Sequence, residues 1–351
     1  MIPVALDAMG GDHAPQATVA GAVQAARNLD IPVLLVGNQG QLQAELDSHK
    51  PFPSTLDIVH AEAVIGMDES PGSALLRKRD ASIVVAMNLV KEGRASGVVS
   101  AGNSGAVMGA AAMRLGMLPG VERPAIAMLL PTRRGSVVVL DGGATVDSRP
   151  EHLRDFARMG SVYAECLLHV ERPRVGLLNI GSEPSKGNAL IKQAYALLSE
   201  LSINFVGNVE GQEIANGELD VVVCDGFVGN ALLKAIEGYG EFFWGMVKQR
   251  LSGGWHNRLA GWLIRNDLRA VSQRLDYAAY GGALLVGVRG ICVISHGRST
   301  PTAVESAIRV AKELADQGVV TELLSALMQE AGDPLQAAIA EDLDLQNESQ
   351  H

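Results

Sequence analysis

Short apolar runs alternate along the chain with longer segments in which apolar residues recur at helical spacing. Apolar runs bounded by glycine or polar residues are typical of buried parallel strands, and the amphipathic segments between them of connecting helices. The pattern predicts strands at 4–6, 33–36, 57–59, 97–99, 125–130, 137–140, 175–178, 204–206, 221–224 and 291–294. It predicts helices at 16–28, 39–48, 82–92, 106–115, 151–168, 189–200, 231–251, 256–273, 302–317 and 321–330.

This alternation predicts an α/β fold of three layers, with a mostly parallel sheet between two layers of helices. We expect one large domain over 1–331, or two lobes of it, including a protruding helical hairpin at about 231–275. The acidic and polar stretch 332–351 is expected to be a flexible tail.

Polar, glycine-containing loops follow six of the predicted strands, at 7–13, 100–105, 141–147, 179–188, 225–230 and 295–299. The carboxyl ends of parallel strands lie at one edge of a sheet, where such sheets bind ligands. The sequence therefore predicts that the polar chemistry gathers on one rim of the sheet.

The clearest anion-binding candidate is Gly102-Asn103-Ser104-Gly105, which precedes a predicted helix. Small residues at a helix start let backbone N–H groups surround an anion, and the helix dipole adds positive potential. Helix capping by Asn103 or Ser104 is the simpler interpretation of one isolated loop. Several such loops together, including Gly10 and Gly11, favour a binding site.

Four carboxylates occupy these loops: Asp7, Asp12, Asp141 and Asp225. Each could bind a metal ion or carry a proton. The favoured interpretation is that they cap helices and accept hydrogen bonds from loop N–H groups.

Two histidines, His13 and His296, fall on the predicted rim and are candidate general acids or phosphate donors. A hydrogen-bonded structural histidine is an equal alternative for each. Lys186 is a candidate point charge for phosphate, against the default of a solvated surface lysine.

Several reaction classes are excluded by missing motifs. Lys186-Gly187-Asn188 is not a Walker A ending, and the chain has no strand followed by G-x-G-x-x-G, no G-x-S-x-G elbow and no H-E-x-x-H pair. The cysteines Cys166, Cys224 and Cys292 are too few and too scattered for a disulfide framework or a zinc site, and Cys224 is expected to be a buried, inert thiol.

A net charge of −10 argues against nucleic acid as a partner. We see neither a signal peptide nor an apolar run of membrane-spanning length, and we expect a cytoplasmic protein.

One segment departs from the acidic average. Between Trp244 and Leu275 there are six cations and one acid, and all three tryptophans lie between 244 and 262. Such a basic amphipathic hairpin suits a membrane surface or an acidic protein partner, and a dimer interface is an equal alternative. The residues assigned to this contact are Trp255, Arg258, Leu259, Trp262, Leu263, Arg265 and Arg269.

The loops together resemble one family. The segments around Asp7-Ala8-Met9-Gly10-Gly11-Asp12, AGNSGAVM, PRVGLLNIGSEPSKGN, FVGNVEG, VVVCDGFVGNALLK, YGGALLVGVRG and Ser-His-Gly-Arg-Ser occur in the order found in the PlsX phosphate acyltransferases of bacterial phospholipid synthesis. The resemblance covers residues 2 to about 317. It departs at Thr145, where the family usually has asparagine, and at Val228, where threonine is common.

The resemblance implies transfer of an acyl group from acyl carrier protein to inorganic phosphate, in a homodimer with an isopropylmalate dehydrogenase-like fold. We predict no cofactor and no metal. The product would feed a membrane glycerol-3-phosphate acyltransferase, with the enzyme touching the membrane peripherally.

Residue roles follow as hypotheses. Asn103, Ser104, Gly105, Lys186 and Asn188 would hold phosphate, Asn230 would steady the oxyanion, and His13 or His296 would protonate the leaving sulfur. Rival interpretations are a phosphotransacetylase that uses acetyl-CoA, a nicotinamide-linked dehydrogenase, and a non-catalytic scaffold for carrier protein and membrane.

Overall fold

The computed structural model describes residues 1–268, 271 and 281–331. Its strands are β1 (Val4–Asp7), β2 (Val33–Gly37), β3 (Leu56–His60), β4 (Gly97–Ser100), β5 (Ala125–Thr132), β6 (Gly135–Leu140), β7 (Arg174–Leu178), β8 (Asn204–Val209), β9 (Val221–Val223), β10 (Ala283–Val286) and β11 (Ile291–Ile294). All the strands predicted from the sequence are present, and β10 was missed.

The helices are α1 (Gln16–Asn28), α2 (Gln39–Asp47), α3 (Pro71–Arg77), α4 (Ser82–Lys91), α5 (Ser104–Arg114), α6 (Pro150–Leu168), α7 (Ala189–Ser199), α8 (Gly226–Ser252), α9 (Trp255–Leu263), α10 (Pro301–Asp316) and α11 (Val319–Ala331). A short 3₁₀ helix spans Gly211–Asn216. The other predicted helices agree with the structure to within about five residues in the described part of the chain, but the predicted helix 256–273 is interrupted, because α9 ends at Leu263 with Ile264 as its C-cap and residues 265–268 are helical again. The helix α3 and the 3₁₀ helix were not predicted.

In the described part of the chain, eleven strands form one sheet in the order β3-β2-β1-β4-β11-β10-β5-β6-β9-β7-β8. Apolar residues cover both of its faces. Val4, Leu6 and the helices α1, α6 and α10 contribute to one core cluster, and Ala5, Val98 and the helices α4 and α5 contribute to the other. The predicted α/β/α layering is therefore confirmed.

The sheet is not parallel throughout. β10 pairs antiparallel with both β11 and β5, and β5 pairs antiparallel with β6, while every other recorded pairing is parallel. The strands on the β6 side therefore run opposite to those on the β1 side. The prediction that all the polar loops lie on one rim is wrong, because the two parallel halves point in opposite directions.

The register nevertheless brings the two sets of carboxyl ends close together. Leu284 of β10 pairs with Val293 of β11 and with Ala127 of β5, and the next β5 residue, Met128, pairs with Val139 of β6. The carboxyl ends of β11 and β6 therefore lie at nearly the same height in the sheet, offset by no more than about two residues. Loops from both halves can line one cleft over β5.

A hairpin of α8 and α9 extends from this body. Of α8, only Gly226 and Gly229 in the first turn are buried, and no residue of α9 is buried. The predicted protruding hairpin is confirmed for α8 and α9. The rest of its predicted range, apart from residues 264–268 and 271, lies outside the described residues. Within the described part of the chain, no helix combines the length and the apolarity that crossing a bilayer requires.

Candidate active site

A cleft with a volume of about 290 Å³ lies over β5, at the junction of the two parallel halves. Its polar wall comes from the loops after β1, β4 and β11 and from one face of α8. Its apolar floor comes from β5, β10 and β11. The polar lining residues are Asp12, Gly102, Ser104, Asn230, Lys234, Glu237, Ser295, His296 and Gly297.

The loop after β4 places a helix N-terminus at the cleft. Asn103 caps α5, because its Oδ1 accepts from the Ala106 N–H at 3.1 Å. Its amide also donates to the carbonyls of Met67 and Glu69, at 3.0 and 3.2 Å. The Asn103 side chain is therefore engaged within the protein, which agrees with the capping interpretation. No described residue accepts from the N–H groups of Ser104 or Gly105, which remain available for an anion.

Gly10 and Gly11, in the loop after β1, are required by close packing against the turn after β4 and by backbone conformation. A Cβ on Gly10 would lie 2.6 Å from Asp7 Oδ2 and 2.9 Å from the Gly102 nitrogen. Gly11 has a φ of +111°, a conformation that L side chains rarely adopt. The Asp12 N–H donates to the Gly297 carbonyl at 2.8 Å, which ties this loop to the one after β11.

Asp7 lies beneath these loops rather than in the cleft lining. Its Oδ2 accepts from Ser100 Oγ at 2.7 Å, and its Oδ1 is buried without a hydrogen-bond partner among the described residues. Burial raises the pKa of this carboxyl, although hydrogen bonds from Ser82 and Ser100 oppose the effect. Asp7 supports the floor of the loops.

Asp141 and Asp225 are also engaged by the backbone. The Asp141 carboxylate accepts from the N–H groups of Ile126, Gly143, Ala144 and Thr145, at 2.6 to 3.1 Å. Burial raises its pKa against these four bonds. Asp225 caps α8 by accepting from the Val228 N–H at 2.9 Å. Both carboxylates organise the loops that carry α8 to the cleft.

Two departures from the family pattern lie in the same region. The Thr145 hydroxyl donates to the Pro124 carbonyl at 3.5 Å, and the residue is buried. Val228 is exposed in the first turn of α8. Neither side chain lines the cleft.

His296 lies in the cleft wall, half-buried. Its Nδ1 accepts from the Arg298 N–H at 3.1 Å, so the neutral ring carries its proton on Nε2. Burial lowers the pKa of His296, and the charge of Lys234 lowers it further, while Glu237 and Asp12 act in the opposite direction. His296 is therefore a neutral donor near neutral pH. His13 is exposed and is not among the lining residues.

One face of α8 closes the cleft. Asn230, Leu233, Lys234 and Glu237 recur at helical spacing and all line it. Lys234 Nζ donates to Glu237 Oε2 at 2.9 Å. Sequence reasoning found Asn230 but missed the other three, although the i+3, i+4 and i+7 spacing from Asn230 was available as a signal.

Lys186 and Asn188 are not brought into this cleft. Lys186 is exposed on the loop after β7, and Asn188 caps α7 by accepting from the Ile191 N–H at 3.0 Å. Their assignment to phosphate stays a prediction.

The floor of the cleft is apolar. Ile126, Met128 and Leu130 lie on one face of β5 and contribute to the same core cluster as Ile294. Five further residues complete the apolar lining: Met67, Leu129, Leu233, Ala283 and Ile294. The three alternate β5 side chains span about 13 Å of strand. An anion-binding turn and an apolar trough therefore share one cleft.

The cysteines take no part in it. Cys224 and Cys292 are buried, and burial raises the pKa of both, that of Cys292 to about 12. The expectation that Cys224 is not a nucleophile agrees with this environment.

Comparison with known proteins gives a consistent family. A family model described as fatty acid synthesis protein matches residues 2–322. The phosphate acyltransferase of Desulforamulus reducens is 51% identical over 332 residues, covering 95% of this chain and 99% of that protein. The phosphate acyltransferase of Thermosynechococcus vestitus is 52% identical over 331 residues, covering 93% of this chain and 96% of that protein.

Solved structures with the same fold are more distant in sequence. The EutD phosphotransacetylase from Staphylococcus aureus aligns with a TM-score of 0.57 at 14% identity, covering 90% of this chain and 94% of its own. A branched-chain phosphotransacylase from Enterococcus faecalis V583 aligns with a TM-score of 0.57 at 15% identity, covering 90% and 99%. At these identities the likeness concerns the fold.

Proposed function

This chain belongs to the fatty acid synthesis protein family, and from that premise we propose that it transfers an acyl group from acyl carrier protein to inorganic phosphate. It is an acyltransferase, and its curated relatives carry the name phosphate acyltransferase. The direct attack of phosphate, the carrier-protein donor and a role in phospholipid synthesis are the finer parts of the proposal.

One observation supports this chemistry above the others. Gly102 and Ser104, at the start of α5, line the same cleft as the apolar trough over β5, and the Ser104 N–H has no acceptor among the described residues. An inorganic oxyanion and a hydrocarbon chain have opposite solvation needs, and a phosphate acyltransferase must hold both side by side.

Phosphate is the acceptor at the polar end. The N–H groups of Ser104 and Gly105 bind its oxygens, with the α5 dipole adding positive potential. The acyl chain lies along Met128 and Leu130, which places the thioester carbonyl beside the phosphate. Asn230, which lines the same cleft, donates to the carbonyl oxygen as it becomes an oxyanion.

The reaction needs no covalent enzyme intermediate. An oxygen of monohydrogen phosphate attacks the thioester carbon, the carbon–sulfur bond breaks, and acyl phosphate and a thiol result. The proton lost by phosphate balances the one gained by sulfur. His296, with its proton on Nε2, donates a hydrogen bond to the leaving thiolate, which takes up the proton that phosphate releases. The rate gain comes from positioning and electrostatics.

The hairpin supplies the contact with partners. Trp255, Leu259, Trp262 and Leu263 are 51 to 69% exposed, which suits either a lipid surface or the twin subunit of a homodimer. Arg258 and Arg265 add positive charge for an acidic carrier protein or anionic lipid, and Arg269 lies outside the described residues. Peripheral contact would bring acyl phosphate to a membrane glycerol-3-phosphate acyltransferase.

The test is release of the free carrier-protein thiol from acyl carrier protein, with and without inorganic phosphate. We expect release that depends on phosphate and stoichiometric acyl phosphate, trapped with hydroxylamine. Equal release in phosphate-free buffer would refute direct attack.

A second candidate follows from the fold shared with phosphotransacetylases. Offering acetyl-CoA and long-chain acyl carrier protein in parallel separates the two. The apolar trough favours the long chain.

A further inference from the structure

The side chain of Lys234, to which the sequence analysis assigned no role, lines the cleft. Lys234 is on the lining face of α8, one turn after Asn230, and its side chain is 52% exposed. Lys186, the lysine assigned from the sequence, is outside the lining. We propose that Lys234 binds the acceptor phosphate and that Glu237 positions its ammonium group. This inference rests on the proposed function.

The Lys234–Glu237 pair is a poor helix-stabilising device. Exposed ion pairs contribute about 0–1 kcal/mol, and an acid that precedes its lysine is the better order along a helix. Here the lysine comes first, at i, with the acid at i+3. The Lys234–Glu237 pair therefore contributes little to the stability of α8, and helix stability does not explain its presence.

The Glu237 carboxylate carries a second observation. Its side chain is 18% exposed, and while Oε2 accepts from Lys234, Oε1 is buried with no partner among the described residues. A buried acceptor without a donor costs about 1–3 kcal/mol. The P–OH of monohydrogen phosphate is a donor of the required kind, and it would satisfy Oε1 while Lys234 binds a charged oxygen.

The opposite wall agrees with this placement. Asp12, Gly102, Ser104 and His296 line the same cleft. The charge of Lys234 lowers the pKa of His296, which indicates that the two groups act on each other across the space. A phosphate at the α5 N-terminus would thus have backbone N–H donors on one side and the Lys234 ammonium on the other.

The first test is steady-state kinetics of the full chain with varied phosphate and a fixed acyl carrier protein donor. Lys234→Met is expected to raise the KM for phosphate about tenfold or more, with the KM for donor little changed. Lys234→Arg should recover part of the loss. Glu237→Gln should raise the KM for phosphate less, because the lysine remains but is no longer held by a charged partner.

The second test needs no turnover. Phosphate should raise the thermal midpoint of the wild-type protein by mass action, and Lys234→Met should abolish most of that rise. Lys192→Met, an exposed lysine of α7, is the matched control and should behave as wild type.

The outcomes separate the two proposals. If the wild-type protein releases no thiol in response to phosphate, the proposed function fails. If it does, and Lys234→Met keeps a wild-type KM and a wild-type phosphate shift, only the role of Lys234 is overturned. A loss seen in Lys186→Ala but not in Lys234→Met would return the role to Lys186.

Discussion

Gly229 gives the sharpest test of how α8 is held against the cleft. A Cβ at this position would lie 1.9 Å from the Asp141 carbonyl oxygen and 3.0 Å from Cys224 Sγ. The first contact is with the backbone, so no rotamer change relieves it. The first turn of α8 would have to move away from the loop after β6, and Asn230 and Lys234 would move with it.

The magnitude follows from two opposing terms. Forcing an extra methyl into a packed site costs about 1–3 kcal/mol and occasionally more, and a backbone clash of this depth belongs at the upper end. Alanine in place of glycine within a helix returns up to about 1 kcal/mol. We expect Gly229→Ala to lower the free energy of unfolding by about 2–3 kcal/mol.

The same helix offers a matched control. A Cβ on Gly240 would meet nothing within 4 Å, so Gly240→Ala keeps only the favourable helix term of up to about 1 kcal/mol. Urea denaturation followed by far-ultraviolet circular dichroism gives both values, and the two variants should differ by about 3–4 kcal/mol. Equal midpoints for the two variants would refute the packing of α8 against Asp141.

Three further predictions use other features. Asp7→Asn should stabilise the protein at pH 7, because burial raises the pKa of Asp7 and the wild-type folded state loses stability as pH rises through that pKa. The gain in unfolding free energy should vanish toward pH 4, near the ordinary pKa of an aspartate, and a gain that is constant with pH would contradict this reasoning. His296→Gln should lower kcat about a hundredfold and remove an acid limb of the kcat profile that lies below the ordinary histidine value, since the pKa of His296 is lowered and protonation of Nδ1 would break its bond from the Arg298 N–H and displace the Nε2 donor. An unchanged profile would exclude His296 as this hydrogen-bond donor. Replacing Trp255 and Trp262 together with serine should weaken liposome flotation while leaving turnover on soluble donor nearly intact, and unchanged flotation would favour the dimer interface.

Local patterns predicted most of the fold because most of its elements carry their own signal. The helix α1 begins and ends where its apolar spacing does, and Asn38 and Thr300 cap their helices with side-chain oxygens. β10 was missed because its identity depends on non-local pairing. It has four residues and takes its place only by pairing antiparallel with β11 and β5.

The loops that form the candidate site were predictable from the sequence, but the full set of residues that line it was not. The turn at Gly102–Gly105 was recognisable because an anion nest is a local backbone feature. The engagement of Asn103 with the carbonyls of Met67 and Glu69 was not, since it joins residues more than thirty positions apart. Lys234 was within reach of the sequence, because a helix predicted from 231 places it one turn from Asn230.

The reversal of strand direction explains which loops the cleft takes. Had the sheet been parallel throughout, the loop carrying Lys186 would stand on the same rim as the loop after β4. Because β10, β5 and β6 pair antiparallel, the two parallel halves meet only around β5, and β7 is separated from it by β6 and β9. The loop after β9 is separated from β5 by β6 alone, and α8, which begins there, lines the cleft with Asn230, Lys234 and Glu237. A residue's position in strand order, rather than its chemistry alone, therefore decides whether it lines this cleft, and that order depends on long-range pairing.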